Sequence, residues 1–185
     1  MRSARRVAAA LAAVGLVLTG VVTAAAPAAA APYCGIRWGS LPERAGDLGA
    51  GSVRDVRAGR HACFDRLVVD VDGDAGGYVV SYVDVVRAPG SGERVPLRGG
   101  AALQVVAQVP AYDRDDGSAT YDPVDARELV DVDGYRTFRQ VALAGSFEGT
   151  TDLGLGVRAR LPFRAFLLDG PGDGSRVVVD VAHRW

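Results

Sequence analysis

An all-β sandwich or barrel, carrying an N-terminal arm tied on by a disulfide, is the fold the sequence predicts, and three observations predict it. β-branched residues recur in runs with period-two alternation, and clusters of Gly, Pro and Asp separate the runs. Two cysteines, Cys34 and Cys63, follow a leader of secretory type; in an oxidising compartment an even count means a bridge.

The leader comes first. Met-Arg-Ser-Ala-Arg-Arg is a positive patch, Val7 to about Ala26 is an apolar run, and PAAAA supplies alanines at the −3 and −1 positions of a cut after Ala30 or Ala31. This three-part order predicts a cleavable signal peptide over residues 1–31. A retained anchor is the competing reading, but the run is rich in alanine and has no basic flank on its far side. Lipid attachment at Cys34 needs a small residue directly before it, and Tyr33 stands there.

Residues 32–51, rich in Gly, Pro and charge, read as an arm pinned by Cys34, with Trp38 and Leu41 as its expected anchors. Residues 52–185 read as the β-domain. Strands are predicted over Ser52–Val56, Asp65–Val71, Tyr78–Val86, Ala102–Val109, Thr137–Ala144, Leu153–Arg158, Phe163–Leu168 and Arg176–Ala182, with one short turn of helix over Pro123–Val130. Leu67, Val69 and Val71 share one face, as do Val177, Val179 and Val181; these sets are the predicted core. DRLVVDV at 65–71 and SRVVVDV at 175–181 echo one another. As antiparallel neighbours centred on Val68 and Val178, they would set Arg66 against Asp180 and Asp70 against Arg176, whereas a parallel pairing would oppose like charges.

With Arg2, Arg5 and Arg6 removed, 18 arginines face 22 carboxylates, a net charge near −4, which favours neither nucleic acid nor an anionic membrane surface as partner. The chain has no lysine, and its wealth of Ala, Gly, Val, Asp and Arg points to a GC-rich genome. Chemistry is sparse. There is no G-x-S-x-G, H-E-x-x-H, S-x-x-K or C-x-x-C, and the only histidines, His61 and His183, have no metal-like spacing, so the sequence calls for no cofactor, metal or catalytic residue. Asp113, Asp115 and Asp116 before Gly117 fall one residue short of a calcium-loop spacing, and Val124 stands where the bidentate Glu belongs. A glycosidase pair of carboxylates leaves no mark in a sequence. Exposed rings stack on sugars, and Tyr112 and Tyr121, in the long polar loop at 111–123, are the candidate glycan-binding residues.

CGIRWGSLPE at 34–43, VRAGRHACFDRLVVDVDG at 56–73, GYVVSYVD at 77–84, VALAGSFEG at 141–149, LGLGVRARLPFRAFLLD at 153–169 and SRVVVDVAH at 175–183 together resemble the AMIN-like domain of secreted actinobacterial proteins. That family takes its name from the AMIN domain, which places cell-wall amidases and secretins in the envelope by contacting peptidoglycan. The resemblance implies a sandwich of two packed antiparallel sheets and a non-catalytic role bound to a cell-wall glycan. An exported protein that binds another envelope protein by strand addition is the alternative, and an uncharacterised hydrolase a more distant one.

Overall fold

The computed structural model describes residues 31–185, where the alternating runs become eleven strands with no α-helix; the signal segment falls, except for Ala31, outside the described residues. The strands are β1 (Glu43–Ala45), β2 (Ser52–Arg60), β3 (Phe64–Asp72), β4 (Tyr78–Val83), β5 (Val86–Arg87), β6 (Arg94–Val95), β7 (Ala101–Ala107), β8 (Phe138–Phe147), β9 (Thr150–Val157), β10 (Phe163–Asp169) and β11 (Ser175–Ala182). One sheet runs β1-β4-β7-β9-β8 and the other β10-β11-β3-β2, every pairing antiparallel, while β5 and β6 form a separate ribbon. The predicted two-sheet antiparallel sandwich is the observed fold.

Alternation places the core where the sequence put it. Leu67, Val69, Val71, Val177, Val179 and Val181 from one sheet meet Val80, Leu103, Val105, Leu153, Leu155 and Val157 from the other, all essentially free of solvent, with Phe138 and Phe163 filling the largest volumes. Each such side chain contributes about 1.5–3 kcal/mol on burial. The echoed strands pair antiparallel with Val68 opposite Val178, Arg66 opposite Asp180 and Asp70 opposite Arg176.

Three elements differ from expectation. The strand predicted over Tyr78–Val86 stops at Val83, and Val86–Arg87 turns away to pair with Arg94–Val95 across the Pro89–Gly92 turn. This ribbon and the chain after it lie on the outer face of the five-stranded sheet, and the glycines of LGLGV make room for them. The side chain of Leu97 would meet a Cβ on Gly154 at 3.0 Å, and a Cβ on Gly156 would fall on the Arg98 carbonyl oxygen. Pro123–Val130 forms no helix: Asp125 accepts from the Arg127 amide through its side chain and from Glu128 through its carbonyl, closing an isolated turn. The segment then runs along the edge of β8, where Leu129 N–H donates to the Val141 carbonyl and the Ala126 carbonyl accepts from Leu143 N–H. Buried Gln140 joins the two coverings, accepting from Arg98 N–H and donating to the Arg127 carbonyl.

The third difference lies in the arm, which contributes β1 to the edge of the five-stranded sheet. Cys34 and Cys63 form the predicted disulfide, their Cα atoms 6.2 Å apart. Trp38 packs edge-on against Phe64 at 5.5 Å between centroids, but Leu41 is 75% exposed and anchors nothing. Polar contacts do its work: the Gly39 carbonyl accepts from Phe163 N–H, and the Glu43 carboxylate accepts from Ala165 N–H at 2.7 Å. Tyr78 Oη donates to the Ala165 carbonyl at 2.6 Å, so both edge-facing backbone groups of Ala165 are satisfied from the opposite sheet.

The disulfide spans a sequence separation of 29 residues, and the chain-entropy relation values such a loop at about 3.5 kcal/mol. The Cys34→Ser, Cys63→Ser double variant is expected to lose about that much in urea unfolding, with the largest loss of amide protection around Trp38 and β1.

Candidate functional site

The two outer faces of the sandwich differ. One is covered by the ribbon, residues 96–100 and the β8-edge segment; the outer face of the β10-β11-β3-β2 sheet carries a lattice of arginines and aspartates. Its geometry follows from the repeated R-x-V-x-D motif. Two such motifs running antiparallel are each other's charge complement, so Arg66 meets Asp180 and Arg176 meets Asp70 across adjacent strands. The flanking strands add a second guanidinium to each carboxylate: Arg164 on β10 sits directly opposite Asp180, and Arg57 on β2, opposite Val68, reaches Asp70 diagonally.

Each aspartate thus has one two-pronged and one lighter partner. Arg66 Nε and Nη2 donate to Asp180 at 2.6 and 2.8 Å, and Arg164 Nε adds a bond at 2.9 Å. Arg57 Nε and Nη2 donate to Asp70 at 2.5 and 3.1 Å, and Arg176 donates through Nε at 3.1 Å. Asp180 is fully buried, while Arg57 and Arg164 keep 49% and 41% of their side chains in solvent. Burial alone would raise the Asp70 carboxyl, but hydrogen bonds and charge from Arg57 and Arg176 outweigh it and hold it below the ordinary carboxylate range. The hydrogen bond from Arg66 to Asp180 holds that guanidinium more firmly protonated.

Two guanidiniums against one carboxylate leave a surplus positive charge at the Asp180 cluster, whereas at the Asp70 cluster Asp55, opposite Asp70 on β2, balances the second guanidinium. The clusters lie about 13 Å apart along the strands, by four residues of strand rise. Between them run Phe166, Val178 and Val68, and at one end the Arg164 guanidinium lies over the rings of Trp38 at 4.5 Å and Phe166 at 4.9 Å. Arg66 lies over Phe64 and Phe166 at 5.3 and 5.5 Å. Stacked guanidiniums with spare N–H groups, beside apolar rings, form a surface for a planar anionic group next to an apolar or sugar face.

The other sequence candidates lie elsewhere. The long loop is pinned rather than free: Arg114 donates to the carbonyls of Gly49, Ala50 and Gly51, and Thr120 donates to Val53. Tyr112 is half-buried with its hydroxyl accepting from Gly149 N–H, and half-buried Tyr121 packs against the core, where burial raises its phenol. Asp113 and Asp116 accept from the amides of Asp115 and Ser118, closing local turns. His61 stacks on Phe64, and the buried His183 ring contacts Thr137 Oγ1 and the His61 carbonyl. A cleft of about 530 Å³ opens between the ribbon and β7, but its Arg160 is engaged with Ser40 and the Tyr82 ring, and Tyr82 Oη with Leu161. Among the described residues no three His, Cys, Asp or Glu side chains are grouped to hold a metal.

Period-two alternation already placed Arg66, Asp70, Arg176 and Asp180 on one face. Arg57, Arg164 and Phe166 carry no such signal, and Trp38 reads only as an anchor of the arm, because their roles on this face depend on which strands flank the central pair.

The class these features define is a small disulfide-tied antiparallel β-sandwich with one covered face and one open, arginine-lined face. The family model for the AMIN-like domain matches residues 51–183, and the chain belongs to that family. No curated protein and no solved structure matches it. Membership makes the chain a cell-wall-related module of the extracytoplasmic envelope, and no helix among the described residues is long and apolar enough to cross a membrane.

Two measurements check the electrostatics. Arg66→Ala is expected to cost about 2–3 kcal/mol in urea unfolding because it strips a buried carboxylate of its two-pronged partner, and Arg164→Ala clearly less. On the covered face, burial raises the Asp152 carboxyl, with hydrogen bonds from Gln104 and Thr150 partly opposing it. Above 3.8, its ordinary value, the folded state keeps a proton the unfolded chain has lost, so stability falls as pH rises through the folded pKa. Asp152→Asn should therefore raise the unfolding midpoint at neutral pH, with the gain disappearing below that ordinary value.

Proposed function

We propose that this chain is an exported, non-catalytic envelope module that binds peptidoglycan or a related wall glycan through the open arginine face. The observation that carries the reading is the surplus guanidinium at the Asp180 cluster, where Arg66 and Arg164 meet a single carboxylate on the outer face of the four-stranded sheet. Wall polymers bear carboxylates beside sugar rings, and this surface offers free N–H groups beside Phe166 and Trp38. The leader over residues 1–31 fits delivery to that ligand, with the signal removed on export. Tyr112 and Tyr121 are secondary candidates, since a hydroxyl and a ring face respectively are already used in packing. Family membership supports the setting.

A second reading, binding of another envelope protein, draws on the edge strand β10, where Leu167 and Leu168 are 38% and 41% exposed. Strand addition there would be confined to the stretch past Ala165, whose edge-facing groups Glu43 and Tyr78 already occupy, and would not need the surplus arginine.

Co-sedimentation with purified peptidoglycan, beside a turbidity record of the same suspension, separates these readings. The protein is expected in the pellet, released by added salt, with no clearing of the suspension. Arg164→Gln leaves Asp180 its two-pronged partner Arg66 and removes the surplus charge, so affinity should fall about tenfold with little change in stability. Wild-type protein left wholly in the supernatant would shift the assignment to the protein partner.

A further inference from the structure

At the end of the sandwich where β2 passes into β3, a cleft of about 300 Å³ is lined by Arg60, His61, Asp65, Arg136 and His183 among others. Asp65 is the first inward-facing residue of the core row of β3 and is 1% exposed. Its Oδ2 accepts from the backbone amides of Thr137 and Phe138 at 2.6 and 3.1 Å, tying the two sheets together. Its Oδ1 is buried and has no hydrogen-bond partner, alone in this among the buried side-chain polar atoms of the described residues. Such an atom loses its hydration without return, and native proteins answer that with a bound water or ligand.

The neighbouring side chains do not supply the missing donor. The ring nitrogens of His183 are taken up by Thr137 Oγ1 and the His61 carbonyl. Arg60 and Arg136 are exposed and stand outside every ion pair among the described residues, with Arg60 lying 5.8 Å over the Tyr135 ring. The cleft is therefore polarised, with an unmet carboxylate oxygen on its buried side and two unpaired guanidiniums in solvent. A simple cation would meet the guanidiniums and a simple anion the carboxylate. A molecule bearing both charges close together meets neither objection.

We propose that this cleft binds the zwitterionic head of an α-amino acid, its ammonium donating to Asp65 Oδ1 and its carboxylate accepting from Arg60 or Arg136. The volume is at the lower end of small-molecule sites, in keeping with a free amino acid or a single side-chain terminus that retains both groups. The site adjoins the arginine lattice through His61 stacked on Phe64, but its test uses no wall polymer, so it stands or falls independently of wall binding.

The test is a nitrogen-15 NMR titration of the purified full chain with D-alanine and with L-alanine, read at the Thr137 and Phe138 amides because both donate to Asp65. Either alanine is expected to move these signals saturably, with acetate and ethylammonium each binding at least about tenfold more weakly. Asp65→Asn should abolish the response. Arg60→Gln with Arg136→Gln, changes to exposed side chains that leave the core intact, should weaken it about tenfold and decide the matter if Asp65→Asn does not fold. No saturable movement with either alanine up to roughly 50 mM, which would leave an ordered water as the Oδ1 partner, overturns the proposal, as does acetate binding as well as alanine.

Discussion

Two buried carboxylates, Asp70 and Asp180, each clasped by two guanidiniums across neighbouring strands, are the constraint on which the rest of the sandwich depends. Removing a carboxylate from water costs several kcal/mol unless its partners and their geometry are right. Only the antiparallel register centred on Val68 and Val178 supplies an arginine opposite both. A slip of one residue would turn Leu67, Val69 and Val71 outward; a slip of two would leave a carboxylate facing valine. The ion pairs on the outer face therefore fix which valines enter the core on the inner one.

The same central pair gives the outer face an approximate two-fold pattern. β3 and β11 exchange places about the Val68–Val178 pair, and the flanking strands β2 and β10 each bring one further arginine. The five-stranded sheet has no such pattern. Small residues on its outward positions admit Leu97 and the Arg98 backbone, so that β9, beneath them, is buried on both faces. Composition divides the two outer faces into a covered one lined with glycine and an open one lined with arginine.

Stacked sheets share no backbone ladder, so their relative position rests on core packing and a few polar ties. Tyr78 reaches the Ala165 carbonyl, Tyr82 both accepts from Leu161 N–H and donates to its carbonyl, and Asp65 receives two amides at the start of β8. Burial raises both phenols, so they remain hydrogen-bond donors further into alkaline pH than an ordinary tyrosine. The arm joins this set through Glu43, closing the side of the sandwich where β1 and β10 approach.

Local pattern made much of this legible. Period two exposed the strands and the core rows, the even cysteine count behind a leader of secretory type gave the Cys34–Cys63 bridge, and the charge order of two echoed motifs gave their pairing, because each feature is written in residues close together or in simple complementarity. Leu41 misled because an apolar side chain in an irregular segment carries no period to say which way it points. The break after Val83 was hidden because Val86 is buried in either arrangement, against the ribbon's sheet or within it. Tyr112 and Tyr121 read as exposed because their loop is polar, whereas the fold uses the Arg114 guanidinium to seal that loop onto residues 49–51. What the sequence determined by itself was the set of strands, their buried faces, the disulfide and the central charge pairing. The tertiary structure alone decided which face stays open, that Arg57, Arg164 and Trp38 converge on it, and that Asp65 Oδ1 is left without a partner, since each depends on side chains brought together from strands far apart in the chain.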